Sequence, residues 1–323
     1  VNIDKTITKN SEHLNKNMVN NSNIYNILNS SIFSESSYNL SDIAQVDGNV
    51  SLNKSNSSNF DNSINKKSNF RIIEANINSL KGKKEELNAM FERDKPDCVI
   101  LVETKLDENY SNSEYFDLNK WNIVVRKDRN KYGGGIIMAV LRKYIVSPVE
   151  IKYDNKNEDP ELYWIKLHSF NNQKPVYICG FYRSQRDIRS KNTLNCLLES
   201  LLKLPGKKGQ QHIVITGDAN LHIDWQTNQP QNNSCTKNLD EQMLKIVDKF
   251  SLTQKVDFPT RLGNTLDILL TSDPSKIISV RPAPPFADHD GVIADFDLCV
   301  KKKPKSQHII YKWTKTDTEG LFN

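Results

Sequence analysis

From Phe70 onward the apolar residues fall into short runs of two periods. Arg71-Ile72-Ile73, Val99 to Val102, Trp121 to Val125, Gly135 to Val140, Val176 to Tyr182, Ile213-Val214-Ile215, Leu266 to Leu270 and Val292 to Leu298 read as strands. Tyr163 to His168 alternates apolar and polar positions, as a half-buried strand should. Between these runs, Leu80 to Arg93 spaces Leu80, Leu87, Met90 and Phe91 at helical intervals, and Pro96 closes that helix region. A second helix is predicted from about Lys191 to Leu202, and a third from Leu239, where Met243, Ile246, Val247 and Phe250 share its face. Many strands, fewer helices and short connections predict an α/β sandwich, with sheets packed together and helices outside.

The first 69 residues break this pattern. Asn supplies 17 and Ser 14 of them, six lysines cancel six acidic groups, and no apolar period is sustained. Such a stretch cannot bury enough surface to offset its ordering entropy, so residues 1–69 read as disordered, with a short helix near Ile24 to Leu28. The whole net charge of +5 therefore belongs to the remainder. Four positive charges sit in Lys301-Lys302-Lys303-Pro304-Lys305, which reads as a basic linker over 300–323. A modest basic excess permits a nucleic-acid partner without demonstrating one. The five cysteines, Cys98, Cys179, Cys196, Cys235 and Cys299, show no metal-like spacing, and buried free thiols are expected at Cys98 and Cys179. No run approaches the length of a membrane span, and no secretion signal is visible.

The chemistry-bearing residues cluster at strand ends. Asn76 follows Arg71-Ile72-Ile73, Glu103 follows Val99 to Val102, and Tyr182 ends Val176 to Tyr182; Gly217-Asp218-Ala219-Asn220 follows Ile213 to Ile215, and Ala287-Asp288-His289 precedes Gly291-Val292-Ile293. Any one of them is weak evidence, because Asx residues after strands commonly just close turns on their own backbone. The Gly-rich Lys131-Tyr132-Gly133-Gly134 lacks the Gly-Lys-Ser/Thr that a phosphate-cradling loop carries, and reads as a turn.

Taken in order, Asn76-Ile77-Asn78-Ser79-Leu80, Glu103-Thr104-Lys105, Tyr182-Arg183, Gly217-Asp218-Ala219-Asn220, Asp257-Phe258-Pro259-Thr260-Arg261, Asn264-Thr265-Leu266-Asp267 and Asp288-His289-Asp290 form a specific series. Over residues 70–299 it resembles the endonuclease/exonuclease/phosphatase superfamily, and most closely the endonuclease domain of non-LTR retrotransposon polyproteins. The resemblance implies a four-layered α/β sandwich with two packed mixed β-sheets flanked by helices. It implies a DNA substrate, nicked to leave a 3′-hydroxyl primer for reverse transcription, and an intracellular, nuclear place of action. Tyr311 to Lys315 is similar to the linker toward a reverse transcriptase domain in such polyproteins, so a fragment or an isolated endonuclease is expected. Two alternatives stay open: a catalytically dead DNA-binding remnant, and another phosphodiesterase of the superfamily such as an abasic-site repair nuclease.

Phosphodiester cleavage places negative charge on the phosphoryl and leaving oxygens, which a hard divalent cation on carboxylate oxygen stabilises. The expected cofactor is Mg²⁺, with Mn²⁺ as a substitute. Glu103 is the first expected ligand, Asn76 orients Glu103 or a metal-bound water, and Asp288 approaches the metal or its waters. Asp218 suits the general base, and Asn220 holds the nucleophile or phosphate. His289 donates to a non-bridging oxygen if Asp267 accepts from its other ring nitrogen. Tyr182 contacts the phosphate or leaving oxygen, or else is a core ring with a wet edge. Thr260 and Arg261 divide evenly between backbone contacts to DNA and support of their own loop. Two departures from the family pattern bear on activity: Ala219 where relatives carry an aromatic residue, and Ala287 where they carry Ser.

Overall fold

The structure, a computed structural model, describes residues 69–304 apart from 131, 155–159, 170–172, 186–189 and 207–208. The Asn/Ser-rich segment as far as residue 68, the helix expected near Ile24 to Leu28, and Lys305 and Tyr311 to Lys315 lie outside the described residues.

The chain begins with β1 (Asn69–Asn76), α1 (Lys84–Asp94), β2 (Cys98–Val102), the short α2 (Asn112–Tyr115), β3 (Trp121–Lys127), β4 (Ile136–Leu141) and β5 (Val146–Val149). It continues through β6 (Leu162–Leu167), β7 (Val176–Tyr182), α3 (Ser190–Lys203), β8 (His212–Asp218), β9 (Ile223–Asp224), β10 (Gln229–Pro230) and α4 (Lys237–Lys249). The last strands are β11 (Thr253–Gln254), β12 (Asp267–Thr271), β13 (Ile277–Ala283) and β14 (Gly291–Asp297). One six-stranded sheet runs β13-β14-β1-β2-β4-β3 and the other β11-β12-β8-β7-β6-β5. Both are mixed: β1 and β2 pair in parallel, as do β7 and β8, while the remaining pairs are antiparallel.

The strand period of two decides which side chains meet. Ile72, Ile100 and Met138 of the first sheet join Ile165, Ile178, Val214 and Leu269 of the second in the central layer. Their neighbours one residue along face outward. Ile73, Val99 and Leu101 pack with Leu87 and Met90 of α1, and Cys179, Ile215 and Ile268 pack with Leu197 of α3 and Met243 of α4. The result is the four-layered sandwich that the motifs implied, helix against sheet against sheet against helices.

One predicted helix shifts and several elements were not predicted. The first helix starts at Lys84 rather than Leu80, because the Ser79 and Leu80 N–H groups donate to the carbonyls of Glu103 (2.7 Å) and Thr104 (2.9 Å) instead of opening a helical turn. Strands β5 and β13 carry Pro148 and Pro282, which interrupt a strand pattern; both sit at sheet edges, where a missing N–H is tolerated. Cys98 and Cys179 are buried free thiols, as expected. No helix among the described residues is long and apolar enough to cross a membrane.

His212 opens β8, buried, with Nε2 2.9 Å from Thr271 Oγ1. Burial pushes its imidazole down to about 4. The unfolded chain takes up a proton near pH 6.5 that the folded chain refuses, so stability falls as pH drops through that window and levels off below the folded value, by up to about 3 kcal/mol. Denaturant midpoints at pH 7 and pH 4.5 should therefore converge in His212→Gln relative to the wild type. An equal acid loss in both proteins would show that His212 is not the source.

Candidate active site

The same alternation that builds the central layer delivers polar groups to one end of it. In β1 the inward positions run Phe70, Ile72, Glu74, Asn76; in β8 they run Val214, Thr216, Asp218; and in β7 Ile178, Gly180, Tyr182. Strand β12 runs antiparallel to β8 with Asp267 opposite Asp218, so its first residue reaches the end where β8 finishes. Strand β14 is antiparallel to β1 and starts at Gly291, which brings His289 to that end as well.

Asn76 links the sheets. Its Nδ2 donates to Asp218 Oδ2 (2.9 Å) and to Glu103 Oε1 (3.3 Å), while its Oδ1 accepts from the Asn78 N–H (3.1 Å). Its amide nitrogen, not its oxygen, therefore faces the two acids. Glu103, one residue past β2, also accepts at Oε1 from the Tyr182 hydroxyl (2.6 Å), and its Oε2 lies 3.1 Å from Lys105 Nζ. Burial works against the Glu103 charge, but the hydrogen bonds from Tyr182, Lys105 and Asn76 outweigh it and hold its carboxyl below the ordinary range. Burial, and then the Glu103 charge, pushes the Tyr182 phenol well up, so its proton stays on.

Asp218 is fully buried and collects three N–H donors: the Asn220 backbone on Oδ1 and the Asn76 and Asn220 amides on Oδ2, each at 2.9 Å. Burial and the nearby Asp267 charge nonetheless raise its carboxyl to about 8. The Asn220 amide also donates to the Arg183 carbonyl (2.9 Å), so both its hydrogens are committed and it positions Asp218. The glycine of the tetrad is required by space as well: at Gly217, φ +146°, a Cβ would lie 1.8 Å from the Phe181 carbonyl oxygen. Arg183, buried, ties the turn from the other side by donating to the carbonyls of Ala219 (2.7 Å) and Asn220 (2.5 Å).

Asp267 Oδ2 accepts from His289 Nδ1 at 2.8 Å, which leaves His289 Nε2 for another partner. Burial opposes the imidazolium, but the bond to Asp267 and the charges of Asp267 and Asp218 raise the His289 pKa above the ordinary value. Asp218, Asp267 and His289 place ligand-capable atoms within 4.8 Å of one another, and Asp267 Oδ1 is buried without a hydrogen-bond partner. Oxygen donors of this kind, one of them orphaned, fit a hard divalent cation.

The structure does not bring Asp288 into that group. Its carboxylate, half exposed, lies 2.6 Å from Arg261 Nη2. Arg261 thus secures the loop beside His289, and Thr260 supports its own turn, with Oγ1 accepting the N–H groups of Leu266 and Asp267 (3.0 Å each). Trp225 packs against the outer cluster of the second sheet. The Gly-rich connection between β3 and β4 serves as a backbone clamp: the Gly134 carbonyl accepts from Lys105 N–H (2.9 Å) and that of Gly135 from Thr104 N–H (3.2 Å).

Three neighbours of the site were not singled out by sequence reasoning. Lys105 and Arg183 stand within the motifs Glu103-Thr104-Lys105 and Tyr182-Arg183 but were assigned no role there. Glu74 is fully buried with neither carboxyl oxygen hydrogen-bonded; burial, then the charges of Asp267 and Asp218, pushes its carboxyl well up. Its position two residues before Asn76 on the inward face is the one available signal.

Two mixed six-stranded sheets with outer helices form an α/β fold like that of endonuclease/exonuclease/phosphatase proteins. Residues 176–293 match the family described as Endonuclease-reverse transcriptase, in agreement with the resemblance read from the motifs. Among solved structures, an AP endonuclease from Leishmania major superposes with a TM-score of 0.54 at 14% identity, over 73% of this chain and 88% of that one. The endonuclease domain of TRAS1, a telomere-specific non-LTR retrotransposon, gives 0.52 at 15% identity, over 71% of this chain and 99% of that one. An AP endonuclease from Archaeoglobus fulgidus gives 0.54 at 16%, over 71% and 100%. At these identities the likeness is one of fold. No curated protein matches the chain in sequence.

Ala219 is fully buried in the outer cluster of the second sheet, with its carbonyl held by Arg183. An aromatic ring there must displace packed neighbours, so Ala219→Phe is expected to destabilise by about 1–3 kcal/mol. A rise in the denaturation midpoint of that variant would reveal free space under the tetrad.

Proposed function

We propose that the protein is a divalent-metal-dependent DNA endonuclease that nicks one strand and leaves a 3′-hydroxyl, the primer for a downstream reverse transcriptase domain, acting in the nucleus. The observation that carries this reading is the convergence of Asn76, Glu103, Tyr182, Asp218, Asn220, Asp267 and His289 from both sheets at one end of the sandwich. The match to the Endonuclease-reverse transcriptase family over residues 176–293 favours it over the abasic-site reading.

Glu103 Oε2 is the first ligand we assign to Mg²⁺ or Mn²⁺, with Asn76 and Tyr182 fixing the other oxygen; the pair with Arg261 leaves Asp288 outside this set. When bound, such an ion stabilises the charge that develops on the phosphoryl and leaving oxygens. The residues of the chain supply the rest. Asp218, in its ionised form, takes a proton from the attacking water and is aimed by Asn76 and Asn220. As the water oxygen bonds to phosphorus, the P–O3′ bond breaks and the phosphate stays on the 5′ side. His289, with Nδ1 bound to Asp267, has Nε2 left to donate to the oxygen where charge builds; the Tyr182 hydroxyl keeps its one proton on Glu103, and the leaving O3′ takes its proton from water.

Supercoiled plasmid should be nicked with Mg²⁺ or Mn²⁺ and spared with a chelator, and Glu103→Ala should lower the rate by roughly 10²-fold or more. Equal nicking with the metal removed would overturn the assignment; cleavage confined to an oligonucleotide carrying an abasic site would favour the repair reading, and no cleavage by folded, metal-saturated protein the dead remnant.

Asp218→Ala and His289→Ala should each cost about 10²–10⁴-fold. Because base and oxyanion donor act on one transition state, the double variant should lose far less than the product of the two. Multiplicative losses in single-turnover nicking would show independent roles.

A further inference from the structure

The Glu103 carboxylate is not free to meet a cation in the structure as it stands. Its Oε1 already accepts two hydrogen bonds, from Tyr182 (2.6 Å) and Asn76 (3.3 Å). Its Oε2 has an ammonium on it, Lys105 Nζ at 3.1 Å. A divalent ion taking a lone pair of Oε2 must share that oxygen with a positive group, and like charges at such range repel strongly even when partly screened. Occupation by one therefore opposes occupation by the other.

The backbone of Lys105 cannot move to resolve this. Its N–H donates to the Gly134 carbonyl (2.9 Å), Thr104 beside it is held by Gly135 (3.2 Å), and Lys105 itself sits at φ +51°. The side chain can move, because its four-carbon stem rotates freely. A second seat is already in contact: Nζ also donates to the Asn78 side-chain oxygen, and Asn78 is anchored by its N–H to Asn76 Oδ1 (3.1 Å). The ammonium thus lies between the metal-ligating oxygen and Asn78, with about one-fifth of the side chain exposed to an arriving group (20%). Lys83, close enough for its charge to feel Lys105, adds positive potential that favours an anion there.

We propose that Lys105 is an exchangeable counter-ion of Glu103, holding Oε2 until a substrate phosphate draws the ammonium away, so that metal loading and DNA binding promote each other. The proposal rests on the nuclease reading above for the identity of the anion. Reciprocity follows from thermodynamics: if phosphate tightens metal binding by displacing Lys105, the metal tightens phosphate binding by the same factor. The rival role, a permanent ion pair that only stabilises the Glu103 turn, predicts no such coupling.

The test is Mn²⁺ binding to the whole chain, followed by the electron paramagnetic resonance of free Mn²⁺, with no DNA present. Lys105→Met, or Lys105→Gln if the first variant folds poorly, should bind Mn²⁺ on the order of 10-fold more tightly than the wild type. Adding a short duplex, in a His289→Ala background that keeps it intact, should tighten Mn²⁺ binding when Lys105 is present and leave it unchanged in Lys105→Met. Unchanged affinity in Lys105→Met, or an equal gain in Lys81→Met, whose charge is paired with Asp107 at 3.5 Å, overturns the exchange. Glu103→Gln separates the two levels. Tight Mn²⁺ binding by that variant would remove the metal site and the exchange together, whereas loss of binding beside a protein that nicks no DNA would remove the nuclease reading and leave the exchange standing.

Discussion

One carboxamide bridges acids of both sheets where they meet, beside the Tyr182–Glu103 and His289–Asp267 bonds that also cross between them. Asn76 ends a strand of the first sheet, and its two amide hydrogens go to Asp218 of the second sheet and to Glu103 of its own. Buried carboxylates repel, and each stays close only if donors offset its charge. The donors can be counted residue by residue. Asp218 has Asn76 and two from Asn220, Glu103 has Tyr182, Asn76 and Lys105, and Asp267 has His289. Glu74 has none, and burial, with the charges of Asp267 and Asp218, pushes its carboxyl well up. Donors alone do not set the outcome: with three each, Glu103 is held below the ordinary carboxyl range, while burial and the Asp267 charge still raise Asp218.

The layers were legible because they depend on period, and period survives in a single sequence. Ile72 and Ile73 face opposite ways, as do Val214 and Ile215, and the polar residues at the strand ends inherit the same faces. The elements missed are those whose pattern is interrupted for a structural reason: β5 by Pro148, β13 by Pro282, and β9, β10 and β11 by being two residues long. The late start of α1 was hidden because Leu80 keeps a helical spacing while its N–H is spent on Thr104.

Within the site, spacing along the chain identified which residues gather but not how they face. Asn76 was expected to orient Glu103 or a water and is seen donating to two carboxylates; Asn220 was given the nucleophile or phosphate, yet both its amide hydrogens are taken by Asp218 and Arg183. Asp288 shows the limit most clearly. Its neighbour His289 turns inward to Asp267 while Asp288 turns outward to Arg261, and adjacent residues in a loop carry no rule comparable to the strand alternation that could have told them apart. Glu74 presents the opposite difficulty, since a polar residue in a strand ordinarily marks the wet face, and only the stacking of the second sheet makes that face dry.

The backbone around these groups is held away from its preferred conformations. Asn78 (φ +41°), Ser79 (+81°), Glu103 (+53°), Lys105 (+51°) and Asn220 (+49°) all occupy the left-handed region, and for non-glycine residues each costs on the order of 1 kcal/mol or more. Interlocking bonds, Ser79 to Glu103 and Leu80 to Thr104 on one side and Thr104 and Lys105 to the glycine clamp on the other, keep the loops from relaxing. Rigid loops deny the acids the usual remedy for mutual repulsion, which is to move apart. What remains is to take a proton, as Glu74 and Asp218 tend to do, or to take a cation, as Glu103 does from Lys105. A backbone that cannot spread its acids apart leaves their repulsion to be lowered by a proton or a cation, and the loops that carry them need not rearrange when one is exchanged for another.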